Sequence, residues 1–357
     1  MKKSLSIISL LMALFMVLSF AGCAGKTQDD TKTTENKTNE TVAATNAPAV
    51  NNSEAELPEG EVASVYTLKG PTGMGMAELI SEEAKDSDPD FKFSVVAAPE
   101  EITAAIINGD ADIAACPVNL ASVLYNRTQG GVKILALNTL GVTYIVTNGT
   151  EVNTIDDLRG KTIITAGQGA TPEYILNKLL NDSGLEVGSD VFVEFRTEHS
   201  DVASLVTSGM ADIVLLPEPQ VTSALAQNPE LKVSLDLTKE WETKYGTKLV
   251  QGCVIARKEF ADSYPGTVND FLDEYKDSVE FINTATDEAA QMIVDAGIIP
   301  KAPLAKKAIP TSYITFITGE TMKSLVKENL QVLYDANPKS VGGTLPDDNF
   351  YYNYIED

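Results

Sequence analysis

Histidine and tryptophan occur once each in the 357 residues, and cysteine three times. With a single histidine there is no metal-ligand spacing of the Cys/His kind, and no cysteine stands beside that histidine in the sequence. Three cysteines cannot build a disulfide framework. Basic residues are scarce as well: 27 Lys and Arg stand against 51 Asp and Glu, a formal charge of -24. That sign excludes nucleic acid as a partner, because phosphates need clustered Lys and Arg. It does not settle the charge of a small ligand, since net charge is spread over the surface and a pocket is local. Long apolar runs are missing except at the N-terminus.

The exception begins with Lys2-Lys3, continues as an apolar run from Ser4 to Phe20, and ends in Phe20-Ala21-Gly22-Cys23. Residues 1–22 read as a secretory signal. Small residues before a cysteine resemble the bacterial lipobox, with Phe20 where leucine is usual. The resemblance implies cleavage before Cys23, lipidation of its thiol, and an extracytoplasmic protein anchored to the membrane. Residues 24–60 contain no aromatic and are rich in Thr, Asn, Glu and Ala. Such a stretch buries too little apolar surface to offset its ordering entropy, so 23–60 is expected as a lipidated cysteine and disordered tether. Cys116 and Cys253 lie in apolar runs and read as buried free thiols, a single bridge being the alternative.

From Val62 onward strand and helix patterns alternate, which implies an α/β fold with largely parallel sheets. One phrase occurs twice. "INGDADIAACPVN" (107–119) is answered by "TSGMADIVLLPEP" (207–219), with Gly, Ala-Asp-Ile and Pro in one register. Similar elements flank both copies, so each marks the same station in one of two alike lobes. Asp112 and Asp212 are expected to hold the helix-to-strand turn through local N–H bonds. Two apolar segments, near 142–147 and 250–256, read as crossing strands. Lobe one is then 62–141 plus 257–357, lobe two is 142–256, and the whole is a two-lobed clamshell.

"TIDDLRGKTI", "LVTSGMADIVLLPEPQV" and the two crossing segments, with the lipobox, resemble the solute-binding lipoproteins of ABC importers. The type is that of the nitrate, sulfonate, taurine and thiamine-precursor binders, and "NTLGVTYIVTNG" and "ANPKSVGGTLPDD" resemble a Firmicutes branch of unassigned ligand. The resemblance covers Val62 to about Asp357. It implies a type II periplasmic-binding-protein fold, a monomer, no cofactor and no catalysis. It also implies capture of a small solute between the lobes and delivery to permease subunits in the membrane. A lipoprotein that senses a ligand and signals to a membrane partner would carry the same binding lobes.

Ligands of open α/β sheets bind beyond the carboxyl ends of the strands. Four turns qualify, each opening a helix whose free N–H groups point outward. In lobe one they are Gly70-Pro71-Thr72-Gly73-Met74-Gly75 and the turn of Pro117 and Asn119. In lobe two they are Gln168-Gly169-Ala170-Thr171 and the turn of Glu218. Glu218 serves its own helix or meets a cationic or hydroxyl group of the ligand. His199 borders the same region, and Tyr144 on a crossing strand offers a ring to a planar ligand or packs in the core. Trp241 reads as helix packing. No Arg or Lys occupies these turns apart from Lys69, which leans towards a small organic solute or a monoanion rather than a dianion.

Overall fold

The computed structural model describes residues 55–354. The signal segment 1–22, Cys23 and most of the tether lie outside the described residues.

The first stretch runs β1 (Ala63–Leu68), α1 (Pro71–Met74), α2 (Ala77–Glu83), β2 (Phe91–Val96), α3 (Pro99–Asn108), β3 (Ile113–Pro117), α4 (Val118–Arg127) and β4 (Val132–Leu140). The second runs β5 (Thr143–Thr147), β6 (Thr162–Ala166), α5 (Thr171–Asn181), β7 (Phe192–Arg196), α6 (His199–Thr207), β8 (Ile213–Pro217), α7 (Gln220–Gln227), β9 (Lys232–Asp236) and α8 (Leu237–Tyr245). The chain returns through β10 (Val250–Arg257), α9 (Lys258–Ser263), α10 (Pro265–Asn283), α11 (Asp287–Asp295), α12 (Ala302–Ala308), β11 (Ile314–Ile317) and α13 (Gly319–Ala336).

Two sheets form, a six-stranded one ordered β11-β4-β10-β3-β1-β2 and a five-stranded one ordered β7-β6-β8-β5-β9. Taken from one edge, β2-β1-β3-β10-β4 answers β7-β6-β8-β5-β9. The directions agree too. β3 is parallel to β1 and antiparallel to β10, as β8 is parallel to β6 and antiparallel to β5. The central strands β3 and β8 are apolar throughout because helices cover both faces of each sheet; Ile113 to Cys116 have no exposed surface.

The repeated phrase is one piece of geometry used twice. Gly109 and Gly209 end α3 and α6 at φ 81° and 77°, where side-chain-bearing residues are strained. Behind each, one carbonyl collects two N–H groups. Ala105 O accepts from Asp110 (2.8 Å) and Ala111 (3.2 Å), and Leu205 O from Met210 (2.9 Å) and Ala211 (3.2 Å). The aspartates differ from expectation. Asp112 makes no local turn bond. Its carboxylate accepts the Ser64 N–H of β1 at 2.9 Å and the Arg257 guanidinium of β10 at 2.5 Å. Asp212 is exposed, and its carboxylate has no partner among the described residues. The difference arises because β10 ends in an arginine at that station, whereas the equivalent strand β5 presents Thr147 and Asn148.

Two boundaries also need correction. β10 lies wholly in the six-stranded sheet, so 250–256 is not part of lobe two and the return crossing comes just before Val250. The two crossings are clamped together: Gly141 N donates to Leu249 O at 2.8 Å, and the Thr238 hydroxyl to Gly141 O at 2.7 Å. A Cβ on Gly141 would lie 2.5 Å from that hydroxyl, so the residue must be glycine. The last part of the expected tether, residues 55–60, is docked on the start of α10. Leu57 N donates to the Thr267 hydroxyl and Gly266 N to Ala55 O, at 2.9 and 2.8 Å. Leu57 packs against the core of lobe one.

Cys116 and Cys253 are free, fully buried and directly opposite in the β3–β10 ladder. Burial and the neighbouring thiol push the Cys253 thiol well up. Trp241 is buried in the core of lobe two and packs on Tyr245.

Candidate functional site

The turn after β1 is built by close approach. Gly70 stands at φ 87°, and a Cβ on Gly73 would sit 2.1 Å from Leu68 O. The buried Asn138 of β4 donates its amide to Thr72 O at 3.1 Å and so fixes the turn from beneath. Asn138 itself requires Gly252 beside it, where a Cβ would lie 2.4 Å from its Oδ1. Only part of this turn is open to the cleft. Pro71 and Thr72 are half-buried, whereas Met74 is fully enclosed in the lobe-one core and Gly75 is packed by Ile314, Tyr275 and Val279. Met74 and Gly75 therefore face inward, because α1 is a single turn whose far side must cover the sheet.

Across the gap stands the turn after β8. The nearest atom to a Cβ placed on Gly70 is Pro219 Cδ, at 3.9 Å, so these two turns face each other from opposite lobes. The Glu218–Pro219 bond is cis. Pro117 and Asn119 are half-buried on the lobe-one side, and the Asn119 amide donates to Ser340 O at 3.5 Å, a bond within the same lobe.

The turn after β6 has Gly167 and Gly169 at φ 78° and 77°, an exposed Gln168, Ala170, and Thr171 buried at the start of α5. Its helix end is already served, since the Gly169 N–H donates to the Glu173 carboxylate. His199 opens α6 next to it, with Nε2 4.0 Å from the Cβ position of Gly167. Its Nδ1 is buried without a partner. Burial holds the imidazole pKa below its ordinary value, against the pull of Glu198, so the ring is neutral at neutral pH.

Glu218 has 4% of its surface exposed. It accepts the Thr222 N–H at 3.2 Å and hydroxyl at 3.0 Å, both from its own helix, and the Thr311 hydroxyl of lobe one at 2.6 Å. Burial pushes its pKa up, and these three donors pull it back. Tyr144 is buried beside it and donates to Thr311 O at 2.6 Å. Burial, with Asp236 nearby, pushes the Tyr144 phenol far up, so it is a donor at every physiological pH. Asp236 ends β9 and caps α8 through one oxygen, accepting Thr238 N at 3.0 Å. Its other oxygen accepts the Tyr313 hydroxyl at 2.5 Å and lies 3.5 Å from the Lys239 ammonium.

These groups share a cavity of about 380 Å³ between the lobes, walled by Val221, Leu225, Val233 and Pro310, with Lys239 and Lys307 on its lining. Its size suits a small metabolite. Of the sequence-predicted residues, Tyr144 and Glu218 line it. The Gly70, Pro117 and Gln168 turns do not line it. Asp236, Thr311, Tyr313 and Asn138 were missed. "LDLTKE" carries a visible helix-cap signal at Asp236, but nothing local in the sequence shows that its second oxygen faces a cavity. Thr311 and Tyr313 reach the site from a segment about 90 residues beyond Glu218, through the fold alone. Among the described residues, no group of three or more His, Cys, Asp or Glu side chains is placed to hold a metal ion.

A sequence model of the family described as "ABC transporter, phosphonate, periplasmic substrate-binding protein" matches residues 75–277. No curated protein matches. Among solved structures, an ABC transporter protein from Parabacteroides distasonis superposes with a TM-score of 0.71 at 22% identity, covering 82% of this chain and 99% of that one. The periplasmic aliphatic sulphonate binding protein SsuA of Escherichia coli gives 0.66 at 14% identity, over 84% and 95% of the two chains. The periplasmic nitrate-binding protein NrtA of Synechocystis PCC 6803 gives 0.57 at 13%, over 80% and 85%. At these identities the likeness is one of fold, and the fold is the two-lobed clamshell.

Proposed function

Because the chain belongs to the phosphonate-type periplasmic substrate-binding proteins of ABC transporters, a family of solute binders and not of enzymes, we propose that it captures a small organic solute carrying an ammonium group. The observation that supports this is the pairing of Glu218 and Asp236 around one inter-lobe cavity, both already serving hydroxyl donors. Buried carboxylates are held by hydrogen-bond donors, and an ammonium offers three. Lys239 and Lys307 on the same cavity suit a weakly anionic group at the solute's other end, which makes a zwitterion the best fit. A dianion is disfavoured by the two carboxylates and by the absence of arginine among the cavity's lining residues.

The leader motif supports export and anchoring through lipidated Cys23, with delivery of the solute to permease subunits of an importer by a monomeric chain. Cys23→Ala should abolish labelling by a fatty-acid probe, and unchanged labelling would remove the anchor from this picture.

The ligand class is tested by a melting screen of the full chain with matched pairs of solutes that differ by one amine. At a hundred times its Kd a ligand stabilises by about 2.7 kcal/mol, which such a screen resolves. Stabilisation by the amine-bearing members alone supports the reading. Stabilisation by nitrate or simple alkylsulfonates, undiminished in Glu218→Gln, overturns it.

A further inference from the structure

We propose that the segment from Ile309 to Tyr313 is an internal latch, which holds the two lobes in apposition without bound solute by docking its hydroxyls on the cleft carboxylates of lobe two.

Three hydrogen bonds cross between the lobes here. The Thr311 hydroxyl donates to Glu218 at 2.6 Å, the Tyr144 hydroxyl to Thr311 O at 2.6 Å, and the Tyr313 hydroxyl to Asp236 at 2.5 Å. The root of the segment is rigid and belongs to lobe one. Ile309 is 1% exposed in its core, and β11 follows directly and pairs with β4. Tyr313 O also accepts Leu140 N, at 3.1 Å. The tip is held in an unusual form. Tyr313 has φ 45°, a left-handed conformation that a side-chain-bearing residue adopts only when its surroundings over-determine it. Its ring packs against the cores of both lobes, so the surroundings include lobe two. Burial of Tyr144 and Glu218, at 3% and 4% exposure, protects the contacts from water. The 380 Å³ cavity alongside leaves room for a solute to compete for the same two carboxylates.

The latch rests on the clamshell reading and not on the identity of the solute, so its test contains no solute. Spin labels are placed at the starts of α3 and α6 by Glu100→Cys and Asp201→Cys, both exposed positions in different lobes. The full chain carries Cys23→Ser, and buried Cys116 and Cys253 do not react. Pulsed electron resonance then reads the distance between lobes. Thr311→Val with Tyr313→Phe should shift a large share of molecules to longer distances, and Tyr144→Phe should do so partly. Thr311→Ser, which keeps the hydroxyl, should leave the distribution as it was. An unchanged distribution in the Val/Phe chain overturns the latch, and so does a Ser variant that opens as far as the Val/Phe chain. Failure here leaves the amine-dependent melting screen untouched.

Discussion

Replacing Asp112 and Asp212 by alanine, one at a time, separates the two copies of the repeated phrase by what their carboxylates hold. Asp112 accepts a backbone N–H from β1 at 2.9 Å and a guanidinium from β10 at 2.5 Å, with 18% of its side chain exposed and 25% of Arg257. A hydrogen bond to a charged group contributes about 1.5–3 kcal/mol, whereas a partly exposed ion pair is screened to about 1 kcal/mol or less. The two together give an expected loss of about 2–4 kcal/mol for Asp112→Ala. At about 2–4 °C per kcal/mol for a domain of this size, the melting point of lobe one should fall by roughly 4–16 °C. Asp212 is exposed and unpartnered, so Asp212→Ala should stay within about 0.5 kcal/mol. Scanning calorimetry of both variants is the assay, since it resolves the lobes if they melt separately. Arg257→Ala, alone and with Asp112→Ala, closes a double-mutant cycle. Equal losses at Asp112 and Asp212, or additive effects of Asp112→Ala and Arg257→Ala, would refute the reasoning.

Gly73→Ala should cost several kcal/mol, because its Cβ would meet Leu68 O at 2.1 Å, while Gly109→Ala, with open space but φ 81°, should cost about 1 kcal/mol; urea titration separates them. Glu274 has its pKa raised to about 7 by burial and by Glu83, Asp90, Asp270 and Asp273. A raised acid is stabilising below its unfolded pKa and loses that contribution as pH climbs through the folded value, here from about 4.5 to about 7. Glu274→Gln should therefore raise the melting point more at pH 8 than at pH 5, and an equal rise at both would contradict the assignment. Cys116 and Cys253 should ignore a thiol reagent in the native protein and react fully in denaturant; rapid native reaction would place them nearer the surface than the structure does.

The architecture was readable because its signals are local. Pro99, Glu101 and Gly109 bracket α3 within a dozen residues, and a first-turn acid and a following glycine, Asp201 and Gly209, bracket α6. The four strand-end turns were found for the same reason, and Trp241 fell where helix packing puts it. What could not be read depended on partners far along the chain. Asp112 looked like a turn residue because its true partners, Ser64 and Arg257, lie 48 and 145 positions away. β10 looked like a crossing strand because apolar runs do not announce which sheet they join. Met74 looked like cleft lining because single-turn helices give too short a pattern to tell an inner from an outer face. Thr311 and Tyr313 sit in the C-terminal stretch 257–357, which the sequence assigns to lobe one without showing which of its residues reach the cleft.

The matched sheets carry a consequence for the order in which the protein matures. Every strand of the five-stranded sheet comes from one unbroken stretch, Thr143 to Asp236. The six-stranded sheet is different: β3 and β4 stay unjoined until β10 arrives, so Cys116 waits for a partner 137 residues downstream. A chain emerging from a membrane pore N-terminus first thus displays the apolar edges of β3 and β4 while the later lobe completes itself. Loop closure over such a span is slow, and bare strand edges invite pairing with other chains. Holding those edges apart until Val250–Arg257 has emerged is then a task for whatever meets the chain outside the pore, and a chain stopped before Val250 would keep a finished second lobe beside a first that cannot close.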